Sequence, residues 1–234
     1  MQDTQYEASM AMPQESLVLS TEMAKTLPDA KVYAQTLPQC PELSLYLLDA
    51  HYPQHALDYE TMMRLMNEPS YWAFCWASGQ VLARFILQYP EWVRNKRVLD
   101  FGSGSGVAAI AAAKAGALSV MACDIDPIAQ LSTRENAALN QVDVNICGDF
   151  FAYHEDIDII LVADVLYDKA NIPLLDALSK RAKTVLLADS RVRHLSVAPY
   201  QKRCTISSTT IPDLDESQEF NQVNIYSAEF SENS

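Results

Sequence analysis

The feature that most constrains this chain is the stretch Val98 to Ala117, VLDFGSGSGVAAIAAAKAGA. An apolar run ends on an acid, Asp100. Three glycines, Gly102, Gly104 and Gly106, follow at alternate positions, and an alanine-rich helix begins at once. A strand that turns directly into a helix through glycines lets other groups approach the backbone closely, and it leaves the first helical amides facing open space. The same grammar continues downstream. RVLDFG reads as a short buried strand, 106–115 as a helix closed by Gly116, and LSVMACD as the next strand. Asp126 and Pro127 read as the cap and first residue of a helix running to about Asn140. VDVNICGD and IDIILVADVLYD are two more strands, 172–183 a helix, and TVLLADS a fifth strand. Such alternation specifies an α/β fold: a Rossmann-like, doubly wound, mostly parallel sheet with helices on both faces. The end of the chain departs from it. RCTISSTTI and VNIYSAEF are strands with no helix between them, so an antiparallel C-terminal hairpin is expected at one edge.

Ahead of this core, residues 1–36 read as a polar, partly mobile N-terminal segment. From residue 37 to 234 a single domain is expected, with 37–94 as an N-terminal helical cap and 95–234 as the Rossmann-like core. LDYETMMRLMNEP has helical spacing, which places Met62, Leu65 and Met66 toward the core, and the proline ends it. SGQVLARFILQYPEW reads as a second amphipathic helix, with Val81, Leu82, Phe85 and Ile86 on one face.

Composition removes several function classes. A chain of 234 residues can bury a full core. No apolar run reaches the roughly 18 residues of a membrane span, and the N-terminal stretch carries acids and no apolar h-region. The expectation is a cytoplasmic protein without a membrane partner. Five cysteines lie scattered without CxxC spacing, which argues against a disulfide framework or a zinc site. His51 and His55 share an i, i+4 spacing, but Pro53 between them spoils a helical metal face, so no metal is expected. The formal net charge of −13 disfavours nucleic acid, and the one dense basic cluster, Arg94 to Arg97, reads as a solvated turn before a strand. An acidic surface suits a cationic partner, such as a protein presenting a lysine. The oligomeric state is open, with a monomer favoured.

Two ligands compete for the glycines. The dinucleotide fingerprint G-x-G-x-x-G/A can be laid on Gly104, Gly106 and Ala109, with Asp124 about twenty residues beyond. A nicotinamide oxidoreductase is therefore a real alternative. Against it, the first glycine is Gly102, and Asp100 stands where such enzymes usually keep an apolar strand residue. Asp149 and Asp164, at two further strand ends, also have no task in a simple nicotinamide site.

VLDFGSGSG, ACDIDP, GDF and ADVLYD, in that order, resemble the motif series of class I S-adenosylmethionine-dependent methyltransferases. The chain is most similar to the group that includes the electron-transfer flavoprotein β-subunit lysine methyltransferase and its bacterial relatives. That group carries a tryptophan-rich segment resembling YWAFCWASGQVLARFIL before the first strand and a D-x-x-Y motif matching Asp164 to Tyr167. Ala77 and Ser78 stand where the group often has Pro-Gly or Gly-Gly. The resemblance implies S-adenosylmethionine as cofactor. Gly102, Ser103, Gly104 and Gly106 then approach its methionine end, and Trp76 lines that side. Asp100 faces the ammonium, Asp124 accepts both ribose hydroxyls, and Asp149 takes the adenine amino group, with Ile125 and Phe150 against the ring. Asp164 orients an acceptor amine and Tyr167 shapes its slot. Asp189 is read as a helix cap and left outside the site. A small-molecule methyltransferase and a catalytically silent binding module remain alternatives.

Overall fold

The computed structural model describes residues 13–53, 57–167, 169–214 and 217–230, with the side chains of Tyr167 and Lys169 set aside. The chain opens with helix α1 (Leu17–Met23) and a two-stranded antiparallel ribbon of β1 (Val32–Leu37) and β2 (Cys40–Leu48). Two helices follow, α2 (Tyr59–Asn67) and α3 (Ala77–Gln88). The alternating core then runs β3 (Arg97–Phe101), α4 (Val107–Lys114), β4 (Ser119–Cys123), α5 (Pro127–Leu139), β5 (Asn145–Cys147), β6 (Ile157–Ala163), α6 (Leu174–Ser179) and β7 (Ala182–Asp189). It ends in β8 (Gln201–Ser207) and β9 (Gln222–Glu229).

The main sheet has seven strands in the order β5-β4-β3-β6-β7-β9-β8. β3 to β7 pair in parallel, and β9 inserts antiparallel between β7 and β8. The expected mixed sheet with an antiparallel C-terminal hairpin is thus what forms. Leu99, Ile159, Ile160, Leu161, Val162, Val185, Leu186 and Leu187 are buried. Strands covered on both faces need such unbroken apolar runs, since neither set of alternating side chains meets water. Residues of α3, α4 and α5 share one apolar layer with the sheet, and α6 with the chain around Leu195 and Val197 contributes to the layer opposite.

The N-terminal region differs from the sequence expectation. Within 1–36, the described residues from 13 onward are packed and not loosely docked. Ser16 caps α1 by accepting the Leu19 N–H, and Ser20 Oγ accepts the Val32 N–H at 3.0 Å. Leu19, Met23, Leu27 and Ala30 pack with Val32, Leu48 and Trp72. The polar spacing hid this because the packed residues are few and lie on short elements, while Leu17 and Val18 of α1 stay exposed. Residues 1–12 fall outside the described residues. α2 forms as predicted, but its expected core face is turned. Met62 and Met66 are 47% and 71% exposed, while Thr61 is buried and Leu65 packs inward. Helical period gives the stripe, and the capping Asp58 and following Pro69 set which side of it meets the body.

A pair of asparagines joins the ribbon to the core. Asn136 of α5 accepts the Tyr46 N–H at 2.7 Å and donates to the Ser105 carbonyl at 2.9 Å. One turn on, Asn140 accepts the Ser44 N–H at 3.2 Å and donates to the Ser44 carbonyl at 2.6 Å. Both side chains act as a neighbouring strand for the outer edge of β2, whose peptide groups would otherwise be buried unpaired. Asn136 also fixes the glycine turn, because Ser105 lies within it. Asn136→Ala leaves a buried donor and a buried acceptor unmatched, so urea unfolding should show a loss of about 2–4 kcal/mol. A loss below about 0.5 kcal/mol would mean that the ribbon is held by other contacts.

Candidate active site

The strand order reverses between β3 and β6: the chain leaves β3 toward β4 on one side and reaches β6 and β7 on the other. In such sheets a crevice opens at the carboxyl ends of the strands at that point. An aspartate stands at or just past the end of every parallel strand: Asp100 in β3, Asp124 after β4, Asp149 beyond β5, Asp164 after β6, and Asp189 closing β7.

The glycine turn and Asp124 form one unit. Asp124 Oδ2 accepts the Gly104 N–H at 2.8 Å, and its Oδ1 accepts the Asp126 N–H at 3.0 Å. The amides of Gly102 and Ser103 donate to the Cys123 carbonyl at 2.9 and 3.2 Å, which ties the turn to the end of β4. Ser103 Oγ lies 3.4 Å from Thr133 Oγ1. Gly106 has φ 78°, and a Cβ there would sit 2.7 Å from Thr133 Cγ2, so this position admits glycine alone. In the first turn of α4, the Val107 and Ala108 amides have no hydrogen-bond partner among the described residues. Two unpaired N–H groups at a helix start form a seat for a carboxylate. Burial raises the Asp124 carboxyl above its ordinary range, against the two amides that hold it.

Asp100 is 2% exposed, and its Oδ2 accepts the Ala109 N–H at 3.0 Å. Burial pushes its carboxyl up to about 7, with the Asp124 charge adding to the rise. Ile125, 85% exposed, and the exposed Asp149 stand beside the same rim. Asp149 Oδ1 accepts the Phe151 N–H at 2.8 Å. Phe150, expected against an adenine ring, is a correction: it is 3% exposed and lies edge-on between Phe101 and Phe151, at 5.1 and 5.3 Å. Its side chain fills the core beside Leu99 and Cys123, and Phe151, 61% exposed, is the aromatic open to a ligand at this corner. Adjacent aromatics in a turn point to opposite sides, and the sequence did not say which faced inward.

Trp76 precedes α3 and is half-buried. Its indole N–H donates to the Tyr71 carbonyl at 3.0 Å, and its ring meets those of Tyr71 and Phe74 at 5.8 and 5.7 Å. Asp164 takes a left-handed backbone with φ 51°. Its carboxylate receives the Ser78 hydroxyl at 2.6 Å, the Ser190 hydroxyl at 2.9 Å, and the Ser78 and Ser190 amides at 3.2 and 3.4 Å. Burial raises the Asp164 carboxyl and these four donors lower it. Tyr167 ends a short 3-10 turn begun at Val165, and its side chain lies outside the described residues.

Asp189 is not a helix cap, because an irregular segment follows it. Its Oδ1 accepts the Arg191 and Val192 amides at 2.8 and 2.6 Å, while its Oδ2 is buried without a partner among the described residues. Burial raises its carboxyl, as does the Asp164 charge. Ser78, Ser190 and Asp189 are the residues that sequence reading missed. Ser78 had one signal, a hydroxyl where related chains often carry glycine; Ser190 had none.

A seven-stranded sheet of this order, with acids at its strand ends and a glycine turn into α4, is the fold of the class I S-adenosylmethionine-dependent methyltransferases. The sequence profile of "Ribosomal protein L11 methyltransferase (PrmA)" matches residues 86–188. The electron transfer flavoprotein beta subunit lysine methyltransferase of Danio rerio is 43% identical over 106 residues, covering 43% of this chain and 40% of that protein. The homolog of that enzyme in Caenorhabditis elegans is 32% identical over 185 residues, covering 70% of this chain and 75% of its own length. Among solved structures, the Thermus thermophilus 16S rRNA N2 G1207 methyltransferase in complex with AdoMet and guanosine superposes with a TM-score of 0.54 at 15% identity, over 86% of this chain and 51% of that one. The chain belongs to the electron transfer flavoprotein beta subunit lysine methyltransferase family. It spans 40% and 49% of the length of the first two curated relatives that it matches.

The raised Asp100 carboxyl has a testable consequence for the free protein. The folded state holds this proton up to about pH 7, whereas an unfolded chain releases it near 4, so folding stability falls as pH rises between the two values. Asp100→Asn keeps an acceptor for the Ala109 N–H and carries no charge. Thermal melts should match wild type near pH 4 and show the variant more stable at pH 8, by about 2–4 kcal/mol. Equal melting temperatures at pH 8 would show that Asp100 ionises in the free protein without penalty.

Proposed function

We propose that this chain transfers methyl groups from S-adenosylmethionine to lysine side chains of a protein, with the β subunit of electron transfer flavoprotein as the first acceptor to test. The observation that carries the chemistry is the convergence of unpaired α4 amides, Asp124 and Asp100 at one crevice, with Asp164 across the strand reversal. The donor set suits the cofactor group by group. The Val107 and Ala108 amides match a carboxylate, Asp100 matches an ammonium, and the remaining lone pairs of Asp124 match a ribose diol. Ile125, Asp149 and Phe151 would border the adenine, and Gly102, Ser103, Gly104, Gly106 and Trp76 the methionine end. The acceptor is supported by the names of the relatives. The L11 methyltransferase match supports a ribosomal protein as a second candidate of the same chemical kind.

S-adenosylmethionine, when bound, supplies a methyl carbon that an amine lone pair can displace from the sulfonium. The chain's own residues then have to bring up an amine, neutral and in line. A free lysine titrates near 10.4, so presenting it uncharged at pH 7 costs about 4–5 kcal/mol. Asp164 would accept an N–H of the acceptor nitrogen and so aim its lone pair, while the proton lost on neutralisation leaves to water. Tyr167 would wall the slot. The carboxylates along the rim attract the ammonium form during its approach.

Calorimetry with S-adenosylhomocysteine should give micromolar affinity that Asp124→Ala abolishes and NADH does not displace. Affinity should rise with pH through about 7, because the Asp100 carboxylate holds the ammonium end and its acid does not. In the transfer assay, incubation with labelled S-adenosylmethionine and electron transfer flavoprotein should put methyl groups on lysines of the β subunit, read by mass spectrometry. Displacement by NADH would return the glycines to the dinucleotide reading. Tight S-adenosylhomocysteine binding without turnover on either protein would mark a silent cofactor-binding module.

A further inference from the structure

We propose that Ser78 and Ser190 are positioning residues that clamp Asp164 and leave its Oδ2 as the oxygen able to take an N–H from the acceptor amine. This rests on the lysine-methylation reading above and specifies how its acceptor slot is held.

The two oxygens of Asp164 are loaded unequally. Oδ1 accepts the Ser78 hydroxyl at 2.6 Å, the Ser190 hydroxyl at 2.9 Å and the Ser190 amide at 3.4 Å. Among the described residues, Oδ2 accepts the Ser78 amide alone, at 3.2 Å. A carboxylate oxygen offers about two lone-pair directions, so Oδ1 is saturated and Oδ2 is not. The backbone is fixed as well: the left-handed φ of 51° is unusual for a residue other than glycine, and the Asp164 N–H donates to the Ala188 carbonyl at 3.1 Å. Ser78 has no exposed surface, and Ser190 is 8% exposed. The clamp therefore joins the first turn of α3, the end of β6 and the residue after β7. Trp76 lies two residues before Ser78, so the aromatic wall and the acceptor slot share one anchor.

No cationic side chain pairs with Asp164 among the described residues. Among the described residues, the titratable groups that face it are Asp189 on β7, whose charge opposes ionisation, and the buried Cys75 ahead of α3. Burial raises the Asp164 carboxyl, and the two serine hydroxyls are the main donors that lower it. Removing either should favour the protonated form of Asp164, and a neutral carboxyl is a weaker acceptor for the amine N–H than the carboxylate.

The test uses Ser78→Ala, Ser190→Ala and the hydroxyl-retaining Ser190→Thr in the full chain. Carbon-13 NMR of the side-chain carboxyls, with Asp164→Asn for assignment, follows the Asp164 titration without cofactor. Steady-state transfer to electron transfer flavoprotein follows kcat, KM and the pH profile. Both alanine variants should move the Asp164 midpoint up by about one unit, shift the acid limb of the pH profile upward by the same amount, and so lower kcat about tenfold on that limb. KM for the flavoprotein and the S-adenosylhomocysteine Kd should stay within about twofold, and Ser190→Thr should restore the wild-type profile. An unmoved midpoint in a folded alanine variant overturns the clamp, as does a pH profile that overlays wild type. Should Ser78→Ala not fold, Ser190→Ala alone decides. If wild type methylates neither protein, the acceptor reading fails, while the NMR midpoint still decides whether the serines hold Asp164.

Discussion

Five parallel strands deliver five carboxylates to one rim, and the need to accommodate them organises much of what surrounds the site. Parallel connectivity makes this unavoidable, because every strand ends on the same side. Each acid is accommodated differently. Asp100 is buried and drawn toward its protonated form; Asp124 and Asp189 are held by backbone amides; Asp164 is held mainly by hydroxyls; Asp149 stays in water. The glycine turn, the irregular segment after β7 and the first turn of α3 take their shapes partly from supplying those donors. A rim built this way is ready for cations, since a positive ligand relieves the desolvation that the free protein carries.

The same rim separates the two ligands that the glycines alone allowed. A dinucleotide brings a pyrophosphate, which would stand among these carboxylates and be repelled by them. S-adenosylmethionine brings an ammonium and a sulfonium, and a lysine acceptor brings a third positive charge. Only its carboxylate needs a donor pair, and the Val107 and Ala108 amides, without a partner among the described residues, stand at the start of α4. The position of Gly102 relative to Asp100 was the sequence-level trace of this distinction.

Local signals were legible wherever short-range physics decides the outcome. β6 and β7 carry continuous apolar runs, the α5 cap is an Asp-Pro pair, and the glycines of the turn after β3 take left-handed conformations. What escaped depends on contacts far apart in the chain. Ser78 and Asp164 are separated by 86 residues and Ser190 and Asp164 by 26, so no window of sequence holds the clamp. Asn136 reads as a polar residue on a helix until β2 is laid against it. The Met62 and Met66 stripe and the Phe150–Phe151 pair failed for a related reason. Periodicity identifies a face or an alternation, and only packing says which side is in.

The placement of Ser78 carries a further consequence. Where glycine stands at such a position, the helix start can approach the strand end but offers only its amide. A serine adds a hydroxyl at 2.6 Å from Oδ1 while keeping the amide at 3.2 Å from Oδ2, so one residue touches both oxygens of Asp164. The carboxylate is then fixed in rotation as well as in place, and neutral donors oppose the rise that burial causes. An arginine or lysine would have supplied more stabilisation, but it would also have repelled the approaching ammonium. Neutral donors hold the acid without cancelling the field that draws the acceptor in, which is what the proposed slot for a cationic side chain would need.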